Sequence, residues 1–130
     1  MRTLALDHGT VRCGAAICDP SGTIVRPLEV ISPPLPERIA ALIAETGAER
    51  VVVGLPITPS GVEGAQARLV REFVVALQEL VAVEVETWDE RLTTKLAAAS
   101  AGGGARAALD SLAAAHLLES YLERRSPNNE

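Results

Sequence analysis

The chain has 130 residues, enough for one domain with little room for a second. Hydrophobic residues make up 48% of it, yet only Phe73, Trp88 and Tyr121 are aromatic, so Ala, Val and Leu must fill the core, as in α/β packing. The formal net charge of −5 argues against a broad, non-specific polyanion binder, and no apolar run approaches the length of a membrane span.

Residues 2–7 (RTLALD) and 13–18 (CGAAIC) predict short strands joined by HGTVR. The turn DPSG at 19–22 leads into a third strand, TIVRPLEVI. Close spacing makes the three an antiparallel meander. Pro27 marks the third as an edge strand or as broken there. Cys13 and Cys18 lie five apart on one strand, hence on opposite faces, which disfavours a mutual disulfide. Two free thiols without a signal peptide predict a cytoplasmic protein.

The pattern then changes to helical spacing in ERIAALIAETGA, with Gly47 as the stop. ERVVVGLP is continuously apolar and predicts a central strand buried on both faces. After the loop TPSGVEG, a helix is expected from about Glu63 to Leu80, with Ala67, Val70, Val74 and Leu77 on one stripe. VAVEVETWDE predicts the fifth strand, LTTKLAAASA a short helix, and GGG at 102–104 a link. ARAALDSLAAAHLLESYLERR is the last helix, its apolar stripe read as Leu109, Leu112, Ala113 and Leu117. The domain thus runs over residues 1–125, with 126–130 a frayed tail. The meander followed by crossovers gives one mixed sheet with helices on both faces, and ligands in such sheets sit at the carboxyl ends of the parallel strands.

Three acidic positions gather at that edge. Asp7 ends the first strand directly after LAL, and Asp89-Glu90 ends the fifth. Asp110 lies near the start of the last helix, at the border of its stripe. Each has a bland alternative: Asp110 as a helix N-terminal carboxylate or cap, Asp89-Glu90 as an ordinary polar strand end. Their convergence is harder to explain without cations, because clustered like charges repel. Oxygen-only ligands favour Mg²⁺ or Mn²⁺, and two such ions can activate water and stabilise a leaving oxygen in phosphodiester cleavage. Basic residues near the edge are Arg12, Arg91, Lys95 and Arg106. Arg12 and Arg91 could each hold a flanking phosphate or form an ion pair. Arg68 and Arg71 share a helix face and are phosphate contacts or a solvated face. Gly54, Gly61 and Gly64 would allow close backbone approach at a phosphate-lined groove. His8 should point away from Asp7, and His116 away from Asp110. Thr93 and Thr94 are candidate caps of the short helix.

These residues resemble the YqgF/RuvX family of ribonuclease H-like nucleases, described as Holliday junction resolvases and as pre-16S rRNA nucleases. The resemblance rests on four segments, LALDHGTVRCGAAICDPSGTIVRPLEVI, VVVGLPITPSGVEGAQARLVREFVVAL, VEVETWDERLTTKLA and LDSLAAAHLLESYLE, which span most of the chain. DERLTT and the GLP…G…G…Q…F pattern are the specific parts. The resemblance implies an α/β, ribonuclease H-like fold with a five-stranded sheet of order 3-2-1-4-5. It implies a metal site of Asp7, Glu90 and Asp110, with Asp89 as second choice for the middle position, and Mg²⁺ or Mn²⁺ as two ions. Substrate contacts would come from Gly9, Arg12, Arg68, Arg91 and Lys95. Two departures stand out. The fourth strand ends VVVGLP with no acid, and GGGARAALD carries only Arg106 where the family has a basic stretch.

The expected function is hydrolysis of phosphodiester bonds, in RNA first (5′ processing of precursor 16S rRNA in ribosome biogenesis). The alternatives are resolution of four-way DNA and a non-catalytic rRNA-binding assembly role. Resolution needs two coordinated sites, hence a homodimer, for which the apolar residues of the last helix or Phe73 and its neighbours are candidate contacts. DHGT also resembles the first phosphate loop of actin/sugar-kinase ATPases, but the chain has no second Asp-x-Gly loop and is too short.

Overall fold

The computed structural model describes residues 1–93 and 106–125, with 106–110 described as backbone alone. Five strands, β1 (Thr3–His8), β2 (Cys13–Cys18), β3 (Val25–Pro27), β4 (Arg50–Leu55) and β5 (Glu84–Asp89), form one sheet of order β3-β2-β1-β4-β5. The first three pair antiparallel, and β4 runs parallel to both β1 and β5. Three helices accompany them: α1 (Pro36–Thr46), α2 (Ala65–Gln78) and α3 (Arg106–Arg124).

Strand alternation sorts the apolar side chains into two cores. One face carries Leu4, Leu6, Val51 and Val53 under Ile39 and Ile43 of α1 and Val70, Val74 and Leu77 of α2. The other carries Ala5, Ala16 and Val52 under Ala114, Leu118 and Tyr121 of α3. Every residue of β4 is buried, as a strand covered on both sides must be. Cys13 packs in the first core and Cys18 in the second, so the thiols are separated by the sheet. Pro36 opens α1, and Gly47 closes it at φ 71°, a left-handed position glycine takes without strain.

Three expectations change. The third strand is three residues long instead of nine, because Pro27 ends it without an N–H to extend the ladder. Leu28 still donates to Ala15, and Ile31 pairs again with Cys13. The buried residues of α3 include Ser111, Ala114, Leu117, Leu118 and Tyr121, so Leu117 of the expected stripe is buried, whereas Leu112 and Ala113 are half-buried and the Leu109 side chain lies outside the described residues. Small Ala114 meets small Ala5 and Ala16, so the helix approaches the sheet closely there. Phe73, considered above as an interface residue, is 6% exposed and belongs to the α2 core, as Leu117 and Leu118 belong to the α3 core. The LTTKLAAASA helix falls outside the described residues beyond Thr93; the chain makes a single 3-10 turn at Glu90–Leu92. The 102–104 link and the 126–130 tail are likewise outside them.

Candidate active site

Asp7 shares a strand face with Ala5, the face covered by α3. The β1–β4 register pairs Leu6 with Val53, so Asp7 lies level with Gly54 on the adjacent strand. Adjacent strands are separated by about 4.8 Å. Glu90 follows β5 and reaches back over β4. A Cβ built on Gly54 would sit 2.6 Å from Glu90 Oε2 and 2.6 Å from Leu117 Cδ1 of α3. The Glu90 carboxylate therefore rests on bare backbone, between the end of β4 and α3, beside Asp7. Both acids are half-buried. The missing acid at the end of β4 and the acid at position 90 are two aspects of one arrangement.

Asp89 is engaged differently. Its carboxylate accepts from the Arg91 backbone N–H (2.9 Å), from Arg91 Nε and from Arg91 Nη2 (2.7 Å). It caps the 3-10 turn, and the Arg91 guanidinium holds its carboxyl below the usual carboxylate range. Alternation places Asp89 on the opposite face from Trp88, whose ring meets Tyr121 of α3 edge-on. The turn thus aims two consecutive acids at different tasks. Asp89 orders the turn, and Glu90 reaches over Gly54. Thr93 closes the turn, its Oγ1 buried without a partner among the described residues.

Asp110 lies five residues into α3, one turn ahead of Ala114 and two ahead of Leu117 on the same helical face. A helix starting at Arg106 leaves it beyond the capping position. The side chains of Arg106 and Asp110, and Lys95 and Thr94 altogether, lie outside the described residues. Gly9 serves the β1–β2 turn: its N–H donates to Arg12 O, and a Cβ there would be 2.9 Å from that oxygen. Arg12 follows, half-buried. Arg91 turns its guanidinium to within 3.6 Å of the Cβ position of Gly61, which sits at φ 90° in the loop after β4. Arg71 is held by Glu63 through two bonds of 2.6–2.7 Å, while Arg68 is exposed. Gly64 is the residue preceding α2. His8 faces away from Asp7 and stacks on Phe73 at 4.2 Å, its pKa lowered by burial. His116 lies 3.7 Å from Glu119.

The residue that sequence reasoning undervalued is Gly54. The signal was present, since VVVGLP has a glycine where an acid would be expected, but its meaning depends on the strand order and on the reach of position 90. No set of three metal-ligating side chains occurs among the described residues. The all-oxygen pair Asp7 and Glu90, with the Gly54 cradle between strand and helix, fits a hard divalent cation better than zinc.

A family model described as RuvX, Holliday junction resolvase, matches residues 1–124. A protein of Rubrobacter xylanophilus named "Putative pre-16S rRNA nuclease" is 42% identical over 128 residues, covering 94% of this chain and 92% of its own. One of the same name from Desulforudis audaxviator is 43% identical, covering 96% of each. Among solved structures, T. thermophilus RuvC in complex with Holliday junction substrate aligns with TM-score 0.63 at 15% identity over 97% of both chains. The fowlpox virus resolvase bound to Holliday junction DNA gives 0.59 at 12%, over 97% of this chain and 99% of that one. These two likenesses show the fold, which is ribonuclease H-like. With the family model matching residues 1–124 and relatives 42% and 43% identical over more than nine-tenths of both chains, the chain belongs to the RuvX family.

Proposed function

We propose that residues 1–125 form one domain that hydrolyses phosphodiester bonds with the help of Mg²⁺ or Mn²⁺, acting on RNA. The observation that carries this reading is the placement of the Glu90 carboxylate over Gly54, beside Asp7. Bringing two acids together at a half-buried strand edge costs stability unless cations offset the repulsion. Asp7 and Glu90, with Asp110 from the helix that covers them, are the residues that would hold the metal; Asp89 is the substitute at the middle position only if the turn gives up its pairing with Arg91. Divalent ions bound there supply a water of lowered pKa and neutralise charge on the leaving oxygen.

The protein's own part is positional. Gly54 leaves room for Glu90, Asp89 and Arg91 order the turn that carries it, and Leu117 closes the floor. Arg12, Arg68, Arg91 and Lys95 are the cations proposed to take flanking phosphates, and Gly9 keeps the β1–β2 turn tight beside them. Two relatives named as pre-16S rRNA nucleases favour precursor 16S rRNA, processed in the cytoplasm, as the substrate. The family description favours four-way DNA as the second reading, cut by a homodimer.

Cleavage of labelled single-stranded RNA and of a synthetic four-way junction, compared side by side with Mn²⁺, Mg²⁺ or chelator, tests the proposal. The expected result is metal-dependent RNA cleavage, abolished in Asp7→Asn and reduced at least a hundredfold in Glu90→Gln. Symmetric junction cuts would favour the second reading. Undiminished cleavage by Asp7→Asn would sink both.

A further inference from the structure

The opposite end of the sheet holds a second polar pocket, of about 370 Å³, lined by Met1, Ser21, Gly22, Thr23, Arg50, Leu122 and Arg125. Arg50 opens β4, whereas Gly54 lies four residues on, about 13 Å away along the strand. We infer that this pocket binds a phosphate-type oxyanion through Arg50 and Arg125.

Arg50 is 9% exposed. Burying a guanidinium is costly unless its charge and donors are met. Among the described residues one of its five N–H donors is paired, on Nη2 with Thr3 Oγ1 at 3.2 Å, and Nε is buried without a partner. Among the described residues no carboxylate forms an ion pair with Arg50 or with Arg125. Both guanidinium groups instead flank one ring, that of Tyr121, at 5.2 and 5.5 Å from its centroid. The Tyr121 hydroxyl donates to Glu86 (2.9 Å), which fixes the ring that both groups flank. Two guanidinium groups of a net acidic protein thus pack against one ring and line one pocket.

The far wall is a rigid turn. Asp19, the acid that opens this turn, spends its carboxylate within it: it accepts from Ser21 Oγ (2.6 Å), Thr23 N (2.7 Å) and Ile24 N (2.9 Å). Ser21 has one hydroxyl proton and gives it to Asp19, so the 2.9 Å contact between the two hydroxyls has Thr23 donating to Ser21, and the side-chain hydrogen bonds of this wall close on themselves. The donors left for a ligand are those of the two guanidinium groups, whose planar forks suit the oxyanions of phosphorus. The inference does not depend on the nuclease chemistry at the other end of the sheet.

Such an anion could be a small phosphorylated molecule or a phosphate of a nucleic acid strand. Backbone amide NMR of the whole chain, titrated with inorganic phosphate against chloride at matched ionic strength, tests the pocket. Shifts should concentrate at Ser21–Thr23 and Arg50. Arg125→Glu, an exposed position whose change the fold should tolerate, should weaken phosphate binding at least tenfold; Arg50→Lys should weaken it less. A parallel titration of Asp7→Asn with a short single-stranded RNA separates the sources. RNA moving the same amides and competing with phosphate assigns the pocket to a strand; phosphate moving them while RNA does not assigns it to a small ligand. If neither ligand moves those amides, or Arg125→Glu binds phosphate as well as the natural chain, the inference is wrong.

Discussion

A methyl group at position 54 has no room. Its nearest neighbours would be a Glu90 oxygen and a Leu117 methyl, both at 2.6 Å. Glu90 can swing away, but Leu117 is 3% exposed and packed. Gly54→Ala should therefore cost about 1–3 kcal/mol in chemical unfolding through overpacking and lower cleavage about as much as Glu90→Gln does. Full activity in the Gly54→Ala variant would show that the carboxylate does not need its place on β4. The aspartate ending the first strand, and the acids ending the fifth, were legible as residues. That position 90 reaches across β5 to β4 was not, because a long side chain's reach depends on which strand lies beside it. His8 makes a separate point at the same scale. It stacks on Phe73 with Nδ1 buried and without a partner among the described residues, and burial lowers its pKa below 6.5. Below about pH 6.5 the unfolded chain takes up a proton that the folded chain resists, so this residue's contribution makes stability fall as pH drops through that value. Urea midpoints at pH 7.5 and 5.5 should differ less in His8→Leu than in the natural chain.

Among elements, the turn after β5 does the most with the least length. Three residues carry a cap, an ion pair and the carboxylate that crosses to β4. The Asp89–Arg91 pair is partly exposed, so its charge interaction is discounted for solvent. The lost cap makes Asp89→Ala about 1 kcal/mol less stable. If Asp89 only orders the turn, that variant retains metal-dependent cleavage at a reduced rate, and steady-state assays over a range of Mn²⁺ should show a lower turnover without loss of saturation. Elements were legible where their signals were local: Pro36 and Gly47 bounded α1, and the unbroken apolar run announced β4. α3 was legible as a helix but not in its orientation. Its Ala and Leu residues lie on several faces, and the choice of Ala114, Leu118 and Tyr121 is made by the alanine-lined sheet they meet. Leu118→Ala should cost about 2–5 kcal/mol, since Leu118 is fully buried in that layer.

At the scale of the whole molecule, one strand links two chemically opposite ends. β4 begins at a buried arginine and carries, one residue before its end, a glycine that seats a glutamate. Topology was the most legible level: turn chemistry and strand spacing pointed to a meander followed by parallel crossovers, and the family resemblance supplied the strand order that is observed. The distribution of charge was not, since Arg50 reads as a polar strand start until Tyr121 and Arg125 are folded against it. This distribution has a consequence for substrate binding. The chain carries 12 Lys and Arg against 17 Asp and Glu. Few cations are proposed around the acidic end, and one of them, Arg91, is committed to Asp89. Each phosphate neutralised on single-stranded nucleic acid adds about 0.7 to the slope of log affinity against log salt, so two or three contacts give a slope of about −2. Binding of single-stranded RNA by Asp7→Asn, measured by fluorescence anisotropy between low and moderate salt, should follow that shallow line. A slope steeper than about −4 would mean that the strand is gripped by more cations than the acidic end provides. In that case Arg125→Glu should flatten the line by about one, whereas a grip confined to the acidic end leaves it unchanged.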